Sequence, residues 1–283
     1  MSILASEESR FEINGHLIAA KSWGDSAGKA VIGLHGWLDN AATFNRLAPM
    51  LDGIRLIALD LMGHGYSDHR PASMPYYIWD NVADVLGVAD QLGLQEFDLL
   101  GHSMGASIAT LLAGAFPERV SKLMLIEGIA PLVTEADQAP QQLAQAILKR
   151  RRMQGRAQKP YASFEAAVEA RINGRWPVDN EAAEWLVERS LVQREGGYFW
   201  RSDPSLVLPS LMRITEDQAE GFIKRVDAPV LLVLGDQGIP QSDRRISLFR
   251  TIDKHVLKGG HHLHLEQQAA GEIAMLINNH INE

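Results

Sequence analysis

The sequence contains no cysteine among its 283 residues. Disulfide bonds and thiolate metal sites are therefore excluded. Basic residues are also in the minority, since 27 lysines and arginines face 35 aspartates and glutamates and leave a formal net charge of −8 at pH 7. Because nucleic acids are polyanions, this excess of negative charge argues against nucleic acid as a partner.

Long apolar runs and targeting signals are missing as well. No segment approaches the ~20 consecutive apolar residues that a membrane-spanning helix needs. The N-terminal stretch carries Glu7 and Glu8 and lacks a basic region followed by an apolar run, so no signal peptide is predicted. We therefore expect a cytoplasmic protein without a membrane span. The oligomeric state cannot be read from these features.

From Val31 onwards, short apolar runs alternate with helical patterns. Before it, residues 9–23 are predicted to form a hairpin that turns at Asn14-Gly15. Continuous apolar strands separated by helices are typical of a mostly parallel sheet with helices on both faces, which defines an α/β fold. The predicted strands lie at residues 31–34, 56–59, 97–100, 123–126, 230–234 and 255–257, and the predicted helices at 41–51, 78–92, 106–116, 243–250 and 266–278.

The alternation stops after Ile126 and resumes at Val230. Residues 131–215 show helical patterns and loops but no clear strand, which predicts a helical cap inserted into a core of residues 1–130 and 216–283. The basic run at 149–152 is interpreted as the C-terminal end of a cap helix, where positive charge stabilises the helix dipole. Aromatic residues of the cap, including Trp176, Trp185 and Trp200, form either a lid over an apolar substrate or the cap's own core.

One serine stands in a motif with a chemical meaning. Ser103 occupies the frame Gly101-x-Ser103-x-Gly105, directly after the predicted strand at 97–100 and before a helical pattern of small residues. Such a nucleophile elbow turns the chain sharply at the serine, and glycines two residues before and after it let the chain pass without a clash. The sequence predicts a serine hydroxyl presented at the end of a sheet.

Three further motifs follow predicted strands in the order that an esterase-like site requires. The first, His35-Gly36-Trp37, is placed to supply the backbone N–H of Trp37 to an oxyanion hole, together with the N–H of Met104. The other two are a glycine-rich turn at 60–67 and a histidine cluster at 259–266. Loops that border the nucleophile are expected to line the substrate pocket, which assigns to it the residues His35, Gly36, Met62 and His102.

Taken together, these motifs resemble those of the α/β-hydrolase superfamily, in its branch of small cap-bearing esterases and related enzymes, and are similar to those of serine hydrolase-like proteins. The resemblance covers nearly the whole chain and implies an α/β-hydrolase fold with a mostly parallel central sheet. It also implies that His261, which follows the glycine of its motif, is the general base for Ser103. His264 is expected to be structural, and a metal site in the histidine cluster is not expected, because no acidic ligand is paired with it in the sequence.

The acidic member of the triad is ambiguous. Family members usually continue Gly-x-x-Asp after the strand at 230–234, whereas this chain has Gly238 at the aspartate position. Asp236 is one alternative. Glu127, at the carboxyl end of the apolar strand 123–126, is the other, as in relatives that place the acid there, and we favour it because open α/β sheets form their sites at that edge.

These features predict a serine hydrolase that cleaves small or medium apolar carboxylic esters through an acyl-enzyme on Ser103, without a metal or organic cofactor. A serine nucleophile argues against dehalogenase or epoxide-hydrolase chemistry, which in relatives uses an aspartate. The alternatives are a non-catalytic ligand-binding protein with the same fold, or C–C bond, lactone or thioester hydrolysis, or perhydrolysis, on the same triad.

Overall fold

The computed structural model describes residues 6–72, 74–153 and 158–283. An eight-stranded sheet forms the centre of this part of the chain, and a separate two-stranded sheet lies apart from it. The strands are β1 (Glu7–Ile13), β2 (His16–Trp23), β3 (Lys29–Leu34), β4 (Ile54–Leu59), β5 (Phe97–His102), β6 (Val120–Ile126), β7 (Leu191–Arg194), β8 (Gly197–Trp200), β9 (Val230–Gly235) and β10 (Ile252–Leu257).

The central sheet has the strand order β1-β2-β4-β3-β5-β6-β9-β10. β1 and β2 form the predicted antiparallel hairpin, with positive φ angles at Asn14 and Gly15. β2 also pairs antiparallel with β4, and the other strands of this sheet, β4, β3, β5, β6, β9 and β10, run parallel to one another. The predicted mostly parallel sheet is therefore confirmed. The chain leaves β3 towards β4 on one side and later adds β5 on the other, so the carboxyl ends of β3 and β5 flank the crevice where such sheets bind ligands.

Helices cover both faces of the sheet, as expected. They are α1 (Asp80–Gln91), α2 (Met104–Ala115), α3 (Ala139–Met153), α4 (Phe164–Ile172), α5 (Asn180–Ser190), α6 (Glu216–Ile223), α7 (Asp243–Ile246) and α8 (Gln267–Asn282). One apolar cluster joins α1, α2, α6 and α7 to one face, while a second joins α8 and the segment after β3 to the other. No helix in the described ranges is both long enough and apolar enough to cross a bilayer.

Two predicted helices are shorter than the sequence pattern suggested. Residues 41–51 form two 3₁₀ turns, Ala41–Phe44 and Ala48–Met50, instead of one helix. Pro49 explains the interruption, because proline has no N–H to donate and its ring clashes with the carbonyl four residues earlier. In the predicted helix 243–250, α7 ends at Ile246, and the chain continues with shorter-range bonds such as Leu248 N–H to Arg245 O, at 3.2 Å.

Between β6 and β9 the chain forms α3 to α6 together with β7 and β8, and we call residues 127–229 the insertion. The expectation that residues 131–215 lack strands is wrong, because β7 and β8 pair as an antiparallel hairpin through a turn at Glu195-Gly196. Each strand has only four residues, which is too short to stand out in a helical region. Arg150, Arg151 and Arg152 lie in the last turn of α3, as predicted. The domain boundaries at 130 and 215 stay predictions.

The insertion has an apolar core of its own. This cluster contains Ala167, Val168, Ala183, Val187 and Leu191, with Tyr161, Phe164, Tyr198 and Trp200 packed against it. Trp200 therefore belongs to the packing of the insertion, whereas Trp176 lies elsewhere, against the loop after β10. Of the two alternatives weighed for the aromatic residues, packing in the insertion's own core applies to Trp200, and a position near the candidate site applies to Trp176.

Candidate active site

Ser103 lies at the junction between β5 and α2, as the elbow motif predicts. Its backbone has φ 54° and ψ −111°, a conformation that residues with a side chain rarely adopt. The conformation is held in place because Ser103 N–H donates to the carbonyl of Ile126 at 2.9 Å. A Cβ atom on Gly105 would lie 2.0 Å from the carbonyl oxygen of Leu34, so a side chain there could not be accommodated. The elbow thus requires the residue types that the sequence provides.

His261 lies in the loop after β10 and contacts the serine directly. Its Nε2 atom is 3.0 Å from Ser103 Oγ, which is hydrogen-bond distance. The histidine is only 6% exposed, whereas Ser103 is partly accessible. This geometry lets an imidazole accept the proton of the hydroxyl.

Glu127 completes a chain of hydrogen bonds on the other side of the imidazole. Its Oε2 atom lies 3.0 Å from His261 Nδ1 and also accepts the N–H of Ile239 at 2.8 Å. Its Oε1 atom accepts the N–H of Gly235 at 2.7 Å. The side chain is almost fully buried, and the backbone has a positive φ of 55°. Three groups, the N–H of Gly235, the N–H of Ile239 and His261 Nδ1, converge on this carboxylate and fix its orientation towards the imidazole.

Asp236, the alternative acid, points elsewhere. Its Oδ1 atom accepts the N–H of Gly259 at 2.9 Å, and the residue is exposed. The side chain therefore fixes the glycine-led loop that carries His261 and does not bind the imidazole. Of the two carboxylates, Glu127 alone contacts the histidine ring in the described structure.

The two predicted oxyanion donors belong to segments on either side of Ser103. Met104 is the first residue of α2, so its N–H has no carbonyl partner within the helix. Trp37 lies in the loop after β3, and its indole Nε1 donates to the carbonyl of Leu206 in the insertion at 3.1 Å. The next residue, Leu38, has a φ of 63°, and its N–H donates to His64 Nε2 at 3.2 Å, which fixes the loop.

The residues assigned to a substrate pocket from the sequence need a correction, because the structure buries them beneath the site. His35 Nδ1 donates to the carbonyl of Gly36 at 2.7 Å and its Nε2 accepts the N–H of Leu61 at 3.0 Å. Burial lowers the pKa of His35 to about 4. His102 is fully buried and bonds the carbonyl of His261 at 2.9 Å, and Met62 is 2% exposed. They support the loops of the site and do not face an open pocket.

An open cavity of about 430 Å³ lies beside His261. Trp176 of the insertion forms part of its wall, with its ring centroid 4.8 Å from that of His261. The lining residues are Arg175, Trp176, Pro177, Gln237, Lys258, Gly259, Gly260, His261 and Glu266. Sequence reasoning missed Arg175 and Lys258. The only available signals were that Lys258 precedes the glycines of the histidine motif and Arg175 precedes a tryptophan already under consideration.

Sequence reasoning also missed a buried ionic cluster next to the site. Asp39 Oδ2 lies 2.9 Å from His262 Nε2, and Arg171 from the insertion donates to Asp39 Oδ1 at 3.2 Å. Burial alone would raise the pKa of Asp39, but the charges and hydrogen bonds of His262, Arg171 and His102 lower it well below its usual value. The histidine cluster therefore does have an acidic partner, which comes from the distant loop after β3.

Asp39, His102 and His262 each offer one ligand atom, and these atoms lie within 4.8 Å of one another, a spacing that could hold a metal ion. The guanidinium of Arg171 already lies 3.2 Å from both Asp39 Oδ1 and His262 Nε2. The positive charge of Arg171 thus already balances the carboxylate of Asp39, which a metal ion would otherwise do. His264 is fully buried, with Nε2 2.8 Å from Thr43 Oγ1, in keeping with the structural role expected of it.

Known proteins are similar to this chain in sequence and architecture. A family model described as alpha/beta hydrolase fold matches residues 29–268. A serine hydrolase-like protein of Dictyostelium discoideum is 34% identical, over 89% of this chain and 76% of that protein, and one of Danio rerio is 30% identical, over 94% and 86%. Among solved structures, a hypothetical protein from Pseudomonas aeruginosa PAO1 has a TM-score of 0.93 with 45% identity, covering 98% of this chain and 100% of that one. The thioesterase domain from the curacin biosynthetic pathway has a TM-score of 0.85 with 28% identity, covering 96% and 99%.

Proposed function

Because this chain belongs to the α/β-hydrolase family and is a serine hydrolase-like member of it, we propose that it hydrolyses carboxylic esters through an acyl-enzyme on Ser103. The observation that carries the proposal is the continuous chain of hydrogen bonds from Ser103 Oγ through His261 to Glu127 Oε2, with both contacts at 3.0 Å. Nucleophile, base and acid come from three different loops at one edge of the sheet, where α/β folds bind their ligands.

In the first half of the reaction, Ser103 Oγ attacks the carbonyl carbon of the ester while His261 Nε2 accepts the hydroxyl proton. Glu127 holds the Nδ1–H of His261, which fixes the tautomer and stabilises the imidazolium that forms. The N–H groups of Trp37 and Met104 donate to the oxygen on which negative charge develops. His261 then protonates the departing alcohol, which leaves the acyl group bound to Ser103.

In the second half, water replaces the alcohol. His261 takes a proton from the water, which attacks the acyl carbon, and returns the proton to Ser103 as the acid product leaves. All atoms and protons of both steps are supplied by the substrate, by water and by the triad. No metal or organic cofactor is required by this mechanism.

The proposed substrates are esters with small or medium apolar acyl groups. Support comes from the apolar side chain of Trp37, which is half exposed in the loop that carries the candidate oxyanion donor. Trp37 is fixed by its indole bond to Leu206, so its ring offers a pre-arranged apolar surface. Such surfaces favour carbon-rich acyl or alcohol groups.

Thioesters are a second candidate substrate class. The specific observation is the similarity to the thioesterase domain from the curacin biosynthetic pathway, which spans almost the full length of both chains. The same triad attacks a thioester carbonyl in the same way, because the thiolate leaves more readily than an alkoxide and needs no additional group.

A panel of p-nitrophenyl esters from acetate to decanoate, paired with butyryl thioesters, tests the proposal. We expect turnover that is highest for short and medium chains and that falls by about 10³-fold or more in Ser103→Ala, in line with losses of other triad serines. A fluorophosphonate probe should label Ser103 in the wild type and nothing in that variant. Absence of turnover together with absence of labelling would support a non-catalytic ligand-binding protein instead.

A further inference from the structure

Resting on the proposed function, we propose that the cavity beside His261 binds a negatively charged group, phosphate or carboxylate, carried by the leaving group of the substrate. The cavity is lined by His261 and by two cationic side chains, Arg175 and Lys258. The proposal concerns the alcohol or thiol part of the ester, and it leaves the acyl part apolar.

The direction of proton transfer places the leaving group on this side of the site. His261 protonates a departing alkoxide, so the leaving group lies next to the imidazole while the acyl group stays on Ser103, and a leaving thiolate takes the same position. The cavity has His261 in its wall, whereas Ser103 is not among its lining residues. The proposal places in this cavity a group that extends beyond the departing oxygen or sulfur on the histidine side.

The charges around the cavity favour an anion. Arg175 and Lys258 contribute two positive charges, and Glu266 contributes one negative charge. Glu266 is turned towards the loop, since its Oε1 atom accepts the N–H of Gly260 at 2.8 Å. The cavity lining is net positive although the whole chain has a formal net charge of −8. This positive region includes the candidate catalytic histidine in its wall.

Among the residues that the structure describes, no acidic side chain forms an ion pair with either cation. Two other arginines of the insertion are paired with acidic side chains of the core: Arg171 with Asp39, and Arg189 with Asp60 and Glu8. Within residues 6–72, 74–153 and 158–283, no such ion pair includes Arg175 or Lys258. Both remain available for a charge on the substrate.

The position of Arg175 is set by its neighbours. Its guanidinium lies 5.4 Å from the ring centroid of Trp176, within the range of a cation–π interaction. The carbonyl of Trp176 accepts a hydrogen bond from Arg171 Nη1 at 2.9 Å, and Arg171 is in turn paired with Asp39. The indole and its backbone thus hold the guanidinium close to the candidate base.

A series of butyryl thioesters with one acyl group and different leaving thiols tests the proposal. The thiols are N-acetylcysteamine, which is neutral, 3-mercaptopropionate, 3-mercaptopropyl phosphate, and thiocholine, which is cationic. Each kcat/KM is divided by the hydroxide-catalysed rate of the same compound, which removes differences in intrinsic reactivity. We expect kcat/KM to be about tenfold higher for an anionic thiol than for the neutral one, a preference that corresponds to about 1.4 kcal/mol and weakens with salt. The two anionic thiols distinguish carboxylate from phosphate recognition.

Variants locate the effect. The double variant Arg175→Ala/Lys258→Ala should bring the ratio of anionic to neutral kcat/KM close to one, and Lys258→Glu should shift the preference towards thiocholine. Lys254→Ala is the matched control, because this exposed lysine on β10 pairs with Asp243 away from the cavity, and it should keep the wild-type ratio. Equal rates for neutral and anionic thiols, or a preference that survives in the double variant, would overturn the proposal. If no thioester or p-nitrophenyl ester is hydrolysed, the proposed function itself fails, which is a different outcome.

Discussion

The carboxylate of Glu127 fills the space that a side chain at Gly238 would occupy beside the candidate histidine. A Cβ atom on Gly238 would lie 2.2 Å from Glu127 Oε1 and 2.3 Å from Oε2, well inside contact distance. The family resemblance led us to expect an aspartate at position 238, and here the glycine leaves room for a carboxylate that arrives from the end of β6. The glycine that made the acid ambiguous in the sequence is therefore the complement of Glu127.

This relationship predicts unequal effects for the two carboxylates. Glu127→Gln should lower kcat for p-nitrophenyl butyrate by about 10³–10⁴-fold, because an amide cannot stabilise the imidazolium and favours the wrong tautomer. Asp236→Asn should stay within about threefold of wild type, since an asparagine oxygen still accepts the N–H of Gly259. A large loss in the Asp236 variant with an active Glu127 variant would identify Asp236 as the acid.

The acid should also be movable between the two loops. Gly238→Asp alone should be inactive or unstable, because its side chain collides with Glu127. The double variant Glu127→Gly/Gly238→Asp removes the collision. Its kcat should be at least about tenfold higher than that of Glu127→Gly, which corresponds to about 1.4 kcal/mol in the activation free energy. Steady-state kinetics and circular dichroism on all three variants separate catalysis from folding. No recovery in a folded double variant would contradict the exchange.

Arg189 should contribute strongly to stability, because it compensates a carboxylate that water cannot reach. Asp60 is fully buried, and Arg189 Nε lies 2.9 Å from both of its oxygens, while the other guanidinium nitrogens bind Glu8. Removing one partner of a buried pair leaves an uncompensated charge, so Arg189→Ala should lower the free energy of unfolding by about 3–5 kcal/mol.

An exposed pair provides the control for Arg189. Arg250 and Asp227 form an ion pair at the surface, and both side chains are more than half exposed. Arg250→Ala should cost less than about 1 kcal/mol, because water and salt screen such pairs. Urea unfolding of both variants measures the difference in the free energy of unfolding. Similar midpoints would show that burial does not increase the contribution of the Arg189–Asp60 ion pair to stability.

Stability should fall as the pH drops below about 6.5, the ordinary pKa of histidine. Burial lowers the pKa of His35 to about 4 and that of His64 to about 3, and it holds those of His102 and His264 well below the usual value. The unfolded chain then binds protons that the folded chain does not, so unfolding is favoured as the pH decreases. His35 and His64 should each contribute a loss of about 2 kcal/mol between pH 7 and pH 5.

His264→Gln tests this pH dependence. A glutamine can keep a hydrogen bond to Thr43 Oγ1 but has no group that titrates in this range, so the loss of stability between pH 7 and pH 5 should be smaller than in the wild type. His69→Gln is the control, because His69 is exposed, and its slope should match that of the wild type. Thermal unfolding at several pH values gives the slopes. Parallel curves for all three proteins would show that His264 is not a source of the pH dependence.

Local patterns predicted much of the molecule because they concern neighbouring residues. The Gly101-x-Ser103-x-Gly105 frame determines a turn within five residues, and the apolar runs determine strands within four to six. The acid remained ambiguous since Glu127 and Asp236 both follow strands that end at the same edge of the sheet. Only the distance to His261 Nδ1 distinguishes them, and that distance depends on tertiary packing.

Other features left no local signal at all. The pairing of Asp39 with His262 and Arg171 joins three segments that are far apart in the sequence, and no motif links the histidine cluster that contains His262 to Asp39 or Arg171. The hairpin of β7 and β8 was missed because its strands are short and lie among helices. Pro49 is a different case, because proline is itself a local helix-breaking signal, and the prediction of one helix over 41–51 did not take it into account.

Arg171 should couple the insertion to the chemistry of the site. It binds Asp39, which lies two residues after the candidate oxyanion donor Trp37, and it also binds the carbonyl of Trp176, whose ring lies against His261. Losing the guanidinium frees both segments, and misplacement of such groups by ~1 Å can cost about 10²-fold in rate. Arg171→Ala should therefore lower kcat by about 10–100-fold and change KM less.

A double-mutant cycle distinguishes this positioning role from a general loss of stability. If Arg171 acts through Asp39, the double variant Arg171→Ala/Asp39→Asn should be hardly worse than the more damaged single variant, giving a coupling energy of about 1–3 kcal/mol in kcat/KM. Arg171→Lys should recover part of the loss, because it restores the charge but not both hydrogen bonds. Labelling of Ser103 by a fluorophosphonate should slow in parallel with kcat, since it uses the same oxyanion donors. Additive losses, with an unchanged labelling rate, would mean that Arg171 supports the fold and does not position the site.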